Sequence, residues 1–336
     1  MYVARSANIE ESKQLLMKLW ADNLPVDGGL EEKLRWFYCD GPHGAGRAFV
    51  LNTGGETVGC AGVGVRRMQH HGRELKAALF ADLAVDRAHR SGLPAVVLLR
   101  QVRSDIAREF DVGYGFPTNK AIAVYRRAGY AELGSMFRYV RVLRSEQYLR
   151  PKLGRWVTPP AAMIADLALA AVAHAHRLRS RGFSVVWPEA FDERFDAMWE
   201  RRGREYAVQC ERTSEFLRWR FERDRYRIMA LARGNGELAA YAVLRSRTTD
   251  DDPVVDIMDL FGAGERELDA MLASLIPAVR AMGPSSIGFR FLGNRGVVRL
   301  LAQHGFAKRS EPRAVVVTGE LRDLDSWYLT DLDEDT

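Results

Sequence analysis

The residues with most chemistry to offer lie between Asp82 and Tyr130. In Phe80-Ala81-Asp82-Leu83-Ala84-Val85-Asp86, strand alternation puts Asp82 on one face with Phe80 and Ala84, and Leu83 and Val85 on the other. A carboxylate on so apolar a strand is either a general base or half of an ion pair with one of the many arginines. Glu74, Glu132 and His89 are secondary candidates for the base. After the strand, Arg87-Ala88-His89-Arg90-Ser91-Gly92-Leu93-Pro94-Ala95 turns into a helix. A helix start offers unpaired N–H groups and partial positive charge, a seat for a pyrophosphate. Arg90 and Ser91 stand where they add charge and a hydroxyl, and Gly92 lets the backbone approach closely. Pro94 removes one N–H, although its fixed φ suits a first helical turn. Further on, Tyr125 precedes Gly129 by four residues. It is either a proton donor or a core aromatic.

The elements that must hold these residues read as mixed α and β. Strands are predicted over 1–7, 48–52, 57–68, 74–86, 112–116 and 132–143, and helices over 10–22, 30–38, 94–110 and 119–127. Residues 144–182 read as a connector with a helix over 161–179. His174 and His176 lie there two apart, on different helix faces, which argues against a metal pair. After Phe183 the same order returns. Asp82-Leu83 matches Asp259-Leu260 at an offset of 177, and Gly129-Tyr130 matches Gly305-Phe306 at 176, which implies an internal duplication. The predicted organisation is a first domain over 1–146, a connector over 147–182, a second domain over 183–320 and an acidic tail over 321–336. That tail is expected to be mobile at its end, with Trp327 and Tyr328 anchoring it.

The strand–turn–helix around Asp82 resembles the coenzyme A motif of the GCN5-related N-acetyltransferases. Thr118-Asn119-Lys120-Ala121-Ile122-Ala123-Val124-Tyr125-Arg126-Arg127-Ala128-Gly129-Tyr130 resembles that family's second motif, an Asn, a helix, a Tyr and a Gly-Phe/Tyr. Tyr114-Gly115-Phe116-Pro117 fits the strand that splays away to make a pantetheine slot. The motifs cover residues 57–143. The match departs at the turn: with Arg90 leading, Leu93 stands for a glycine, and with Gly92 central, Pro94 closes. The resemblance implies an α/β fold of two tandem domains, each a mixed, mostly antiparallel sheet flanked by helices. It implies acetyl-CoA or another acyl-CoA as cosubstrate, held by Leu83, Ala84, Val85, Arg90, Ser91, Gly92, Leu93, Pro94, Ala95, Asn119 and Tyr125. Backbone N–H groups of Leu83 to Val85 would hold the acyl carbonyl, Tyr125 would protonate the departing sulfur, and Asp82 would be the base. The second copy departs further: Leu301 stands where Tyr125 does, and Glu265 and Glu267 at its helix start would repel a pyrophosphate. It is expected to have lost coenzyme A binding.

Composition narrows the classes. The chain has 336 residues, 47% hydrophobic and 28% charged, the size of about two globular domains. Its net charge is +5, and 42 of its 49 basic residues are arginines that alternate with acids and form no block, so nucleic acid is not an expected partner. The N-terminal run lacks the apolar core of a secretion signal, and the longest apolar stretch is too short for a membrane span. Three scattered cysteines fit a reducing cytoplasm and suggest neither disulfide nor zinc. The expectation is a cytoplasmic, metal-free N-acetyltransferase, monomer or homodimer, acting on a small-molecule amine by direct attack. Two alternatives are a Fem-like transferase using aminoacyl-tRNA and a binding or regulatory protein that keeps the fold without turnover.

Overall fold

The computed structural model describes residues 1–24, 29–91, 93–144, 180–202, 208–221, 226–249, 252–262, 264–309 and 312–335. Gly92 and the predicted helix over 161–179, with His174 and His176, lie outside the described residues. The first half runs β1 (Val3–Ala7), α1 (Ile9–Asn23), α2 (Leu30–Leu34), β2 (Arg47–Thr53), β3 (Glu56–His70), β4 (Arg73–Val85), α3 (Leu93–Ile106), β5 (Val112–Gly115), α4 (Ile122–Arg127) and β6 (Ala131–Val142). A single turn of π-helix, Arg35–Cys39, ends α2 and buries Trp36, Phe37 and Tyr38. The second half runs β7 (Ser184–Val186), α5 (Glu193–Arg202), β8 (Val208–Cys210), α6 (Ser214–Phe221), β9 (Tyr226–Ala232), β10 (Leu238–Thr249), β11 (Asp252–Gly262), α7 (Glu265–Ala281), β12 (Ser286–Gly293), α8 (Arg295–Gln303), β13 (Ala307–Lys308), β14 (Arg313–Thr318) and β15 (Trp327–Leu329).

The duplication read from two landmarks extends to the pairing pattern. In the first half β1, β2, β3 and β4 pair antiparallel in sequence order, then β4 runs parallel to β5. In the second, β9, β10 and β11 pair antiparallel and β11 runs parallel to β12. A parallel pair needs a crossover, and α3 and α7 supply it. Both helices earn their position from an apolar stripe: Val96, Leu99, Val102 and Ile106 are buried on α3, and Leu268, Met271, Leu272, Leu275 and Val279 on α7.

The halves are not closed units. A late strand of each completes the sheet of the other: β14 pairs with β5, and β6 pairs with β12. The two exchanged strands also pair with each other, Met136 opposite Arg313 and Ala131 opposite Val317. On the other side β8 pairs with β3, and β15 lies between β8 and β12. The hydrogen-bonded circuit β4–β3–β8–β15–β12–β6–β14–β5 therefore returns to β4. Gly293, at φ +142°, is required where β12 meets β15, because a Cβ there would lie 1.7 Å from the Trp327 carbonyl oxygen.

The acidic tail differs from the expectation. Trp327, Tyr328, Leu329, Thr330, Asp331, Leu332, Asp333 and Glu334 are all buried. Arg220 donates to the carbonyls of Leu332 (3.0 Å) and Asp331 (2.9 Å), Arg313 pairs with Glu334, and Arg212 lies 3.8 Å from Asp333. Charge that reads as solvated in sequence is matched here by arginines distant in the chain. Burial, foremost, pushes the Asp331 carboxyl up to about 7 and those of Asp333 and Asp335 up to about 6. Raised carboxyl pKa values mean that the folded segment binds more protons than the unfolded one between about pH 4 and 7, so seating weakens as pH rises through that window. Amide exchange protection at Trp327–Leu329, corrected for intrinsic rate, should be greater at pH 5.5 than at pH 8; equal or reversed protection would show that these carboxylates do not govern seating.

Candidate active site

The parallel ladder of β4 and β5 runs from Ala77 opposite Val112 to Phe80 opposite Gly115 and stops there. Among the described residues, β4 pairs with no strand on the β5 side beyond Phe80, and the two strands separate there. At the same place β4 bulges. Cys60 and Gly62 of β3 stand opposite Ala84 and Ala81, leaving Asp82 and Leu83 against Ala61 alone. Asp82 takes φ +52°, the left-handed region, which costs a non-glycine residue and is kept only when the surroundings impose it. They do: its carboxylate is buried, accepting from Lys33 Nζ at 2.5 Å and from Tyr38 Oη at 2.7 Å. Burial alone would lower the Lys33 pKa, but the Asp82 charge outweighs it and holds the ammonium up. Tyr38 is held protonated by burial, then by Asp82. Asp82 is thus seated in a charge-assisted pair, but its partner is Lys33 and not, as the sequence reading had it, one of the many arginines.

The other expected residues fall around this gap. Leu83 is half-buried, while Ala84 and Val85 are buried. Arg90 folds back, Nε donating to the Val85 carbonyl (2.9 Å) and Nη2 to Asn23 Oδ1 (2.7 Å), which fixes the turn to α1. Ser91 and Leu93 are exposed, Pro94 is buried in the first turn of α3, and Ala95 is half-buried. Asn119 is exposed in the turn before α4. Tyr125 is buried on α4, its ring edge-on to Tyr130 at 5.0 Å, and Tyr130 Oη donates to the Leu99 carbonyl on α3 (3.0 Å). Burial, then the charges of Asp335 and Asp82, push the Tyr125 hydroxyl pKa up, so it holds its proton at neutral pH. The secondary base candidates stand elsewhere: Glu132 pairs with Arg126, His89 Nδ1 lies 2.9 Å from Tyr2 Oη, and Glu74 lies 3.5 Å from Arg67 at the far end of β4. Lys33, Tyr38 and Asp335 were not read from sequence. In sequence Lys33 and Tyr38 fall in a helix predicted over 30–38 with nothing to single them out, and Asp335 falls in the tail expected to be mobile at its end.

The second copy repeats the bulge but not the gap. Val243 and Leu244 oppose Asp259 and Ile257, leaving Met258 extra. Asp259 is fully buried and accepts from Arg212 Nε and Nη2 (both 3.1 Å), Tyr241 Oη (2.6 Å) and Thr330 Oγ1 (2.8 Å). β11 and β12 separate after Ile257 and Phe289. Tyr328 fills that separation. Its ring lies 5.0 Å from Phe291 and 6.4 Å from Phe261, and its hydroxyl donates to the Leu260 carbonyl. The tail, more than Glu265 or Leu301, closes the second slot.

Solved structures share this arrangement. A probable N-acyltransferase from Enterococcus faecalis matches with a TM-score of 0.67 and 13% identity, over 97% of this chain and 74% of that one. A GCN5-related N-acetyltransferase from Anabaena variabilis gives 0.67 and 13%, over 94% and 72%. Eis1 from Mycobacterium abscessus gives 0.58 and 15%, over 94% and 73%. The fold is that of the GCN5-related N-acetyltransferases, in a doubled form. No family model matches the sequence, and no curated protein does. Among the described residues no group of three or more His, Cys, Asp or Glu could hold a metal ion, and no helix is long and apolar enough to cross a membrane. Gly62 has a steric duty at the site: a Cβ there would lie 1.8 Å from Tyr38 Oη. Gly62→Ala should therefore push Tyr38 off Asp82 and cost about 1–3 kcal/mol, the usual range for overpacking, in urea unfolding; an unchanged midpoint would mean that Tyr38 has room to move.

Proposed function

We propose that the chain is an acyl-CoA-dependent N-acyltransferase, most simply an acetyltransferase, working on a small amine from the first half alone. The observation that carries this reading is the gap between β4 and β5, flanked by the Asp82–Leu83 bulge, the start of α3 and Tyr125. The β4 edge from Leu83 to Val85, beyond the end of the β5 ladder, suits an acyl carbonyl, whose oxygen gains negative charge as the amine attacks. The start of α3 suits a pyrophosphate through its amides, with Arg87 nearby and Pro94 contributing none. In the transfer the amine nitrogen bonds the acyl carbon, the carbon–sulfur bond breaks, and the thiolate takes a proton from Tyr125, which its environment keeps protonated. The amine must shed a proton. Asp335, with its carboxyl pushed up to about 6 by burial and then by Asp82, is better poised for that than Asp82, whose oxygens are taken.

The tandem reading of two domains, one active and one closed by Tyr328, belongs to this proposal, as do a cytoplasmic setting and a monomer or homodimer. A second reading, acyl-CoA binding without turnover, is favoured by one feature: Pro94 withholds an amide from the start of α3. Calorimetry with acetyl-CoA and a thiol-release assay across an amine panel separate the two. Wild type should bind and release thiol. Tyr125→Phe should keep its acetyl-CoA affinity within about twofold while turnover falls about 100-fold, and Asp335→Asn should lower turnover most above about pH 6, where the wild-type carboxylate is ionised, and least below it. No heat with acetyl-CoA would end both readings. Binding without thiol release would leave the second, and loss of affinity together with a loosened fold in Tyr125→Phe would make Tyr125 a core residue only.

A further inference from the structure

Lys33 stands out by its type and by how firmly it is held. Of 49 basic residues in the chain 42 are arginines, and arginines meet the other buried aspartates: Arg212 forks onto Asp259, and Arg138 and Arg247 meet Asp256. At the β4 bulge the partner is a lysine, 2.5 Å from one Asp82 oxygen, while Tyr38 Oη takes the other at 2.7 Å. A guanidinium would fork onto one carboxylate, whereas an ammonium is a compact charge that two carboxylates can share. The Lys33 side chain is 20% exposed, and its Nζ lies 5.9 Å from the Trp20 ring centroid. Its helix, α2, is clamped from the second half. The π-helical turn that continues it carries Trp36, which stacks on Trp219 of α6 at 4.8 Å and 15°. Each of the two indole N–H groups donates to the other residue's carbonyl, at 2.9 and 3.2 Å.

The C-terminal segment brings a second carboxylate to the same cation. Asp335 acts on Lys33 of α2, Tyr38 of the π-helical turn, Arg66 of β3, Tyr125 of α4 and Arg313 of β14. Burial apart, the strongest charges acting on Asp335 are Asp82, which opposes its ionisation, and Lys33, which favours it; Glu334, its own neighbour, opposes it too. Two carboxylates that share a site do not both ionise readily unless a cation sits with them. Lys33 is placed as that cation, with Asp82 already seated against it.

We propose that Lys33 is a positioning residue for acyl transfer: it holds Asp82 as a paired anion at the bulge, so that Asp335 is free to accept a proton from the amine. In that step an N–H bond of the substrate ammonium breaks, an O–H bond forms on Asp335, and the nitrogen lone pair becomes available for attack. Asp335 then returns the proton to solvent. This role rests on the acyl-transfer reading above; the charge coupling of Lys33, Asp82 and Asp335 does not.

The test needs no substrate at first. In the full chain with carboxyl-labelled aspartate, the Asp335 signal is assigned by its loss in Asp335→Asn and titrated by carbon-13 NMR. Lys33→Met should raise the Asp335 midpoint by about one pH unit or more, the scale of a charge within a few ångströms. Asp82→Asn should lower it, and the double variant should fall between the two. Asp82→Asn carries the test alone if Lys33→Met does not fold. An Asp335 midpoint that neither substitution moves would make Lys33 a brace for the bulge and overturn the coupling. With acetyl-CoA and benzylamine, the acid limb of kcat/KM should move in the same directions, with KM for acetyl-CoA little changed. Midpoints that move as expected, in a protein that releases no thiol at any pH, would keep the coupling and sink the acyl-transfer reading. Turnover whose acid limb stays in place while the Asp335 midpoint moves would keep the transfer and sink the role of Lys33 in it.

Discussion

The structure depends on the pairing of each half's splayed strand with a late strand of the other half. A parallel pair that opens into a gap leaves one strand with a bare outer edge, and bare edges bind whatever strand is near. Here β14 covers β5, and β6 covers β12. The gap can then stay open without exposing its wall, because the wall is finished from outside. The same exchange joins the halves through backbone hydrogen bonds, so neither half can leave without stripping the other's sheet. A duplicated fold can in this way keep one working gap and use the second copy as its brace.

The two bulges show how a shared device is put to different ends. Each holds an aspartate at matching positions, and each aspartate is bonded by a tyrosine and a cation. In the first half the cation is Lys33 of α2. In the second it is Arg212, locked in a bidentate pair away from solvent, with Thr330 completing the shell. Tyr328 then packs where β11 and β12 separate. The C-terminal segment thus does two things at once: it closes the second gap and carries Asp335 to the first. Its arginine partners Arg212, Arg220 and Arg313 come from separate stretches of the second half, so its seating depends on that half being formed.

Much of this was legible in the sequence. The apolar stripe on α3, the alternation around Asp82 and the Tyr125–Gly129 spacing each encode an element locally, and the elements formed where those patterns ran. The strand exchange was not legible, since alternation says that 132–143 is a strand but not which edge it joins. Burial of the tail was hidden for a related reason. A run with Asp331, Asp333 and Asp335 reads as solvated unless Arg212, Arg220 and Arg313 are known to converge on it. The excess of arginine over lysine was the available hint, read as composition when part of it is architecture.

Arg66 was the least legible residue of all, one arginine among 42. Only its surroundings distinguish it, and they do so by contrast. In a structure where Arg212 and Arg220 each meet protein acceptors and even exposed arginines such as Arg47 and Arg126 find carboxylates, Arg66 keeps an enclosed guanidinium with two idle nitrogens. Stacking on Trp219 offsets part of the desolvation of a cation, of the order of 2 kcal/mol for a desolvated pair, but the penalty for an unpaired buried charge is several kcal/mol, and the nearby Asp335 carboxylate offsets a further part.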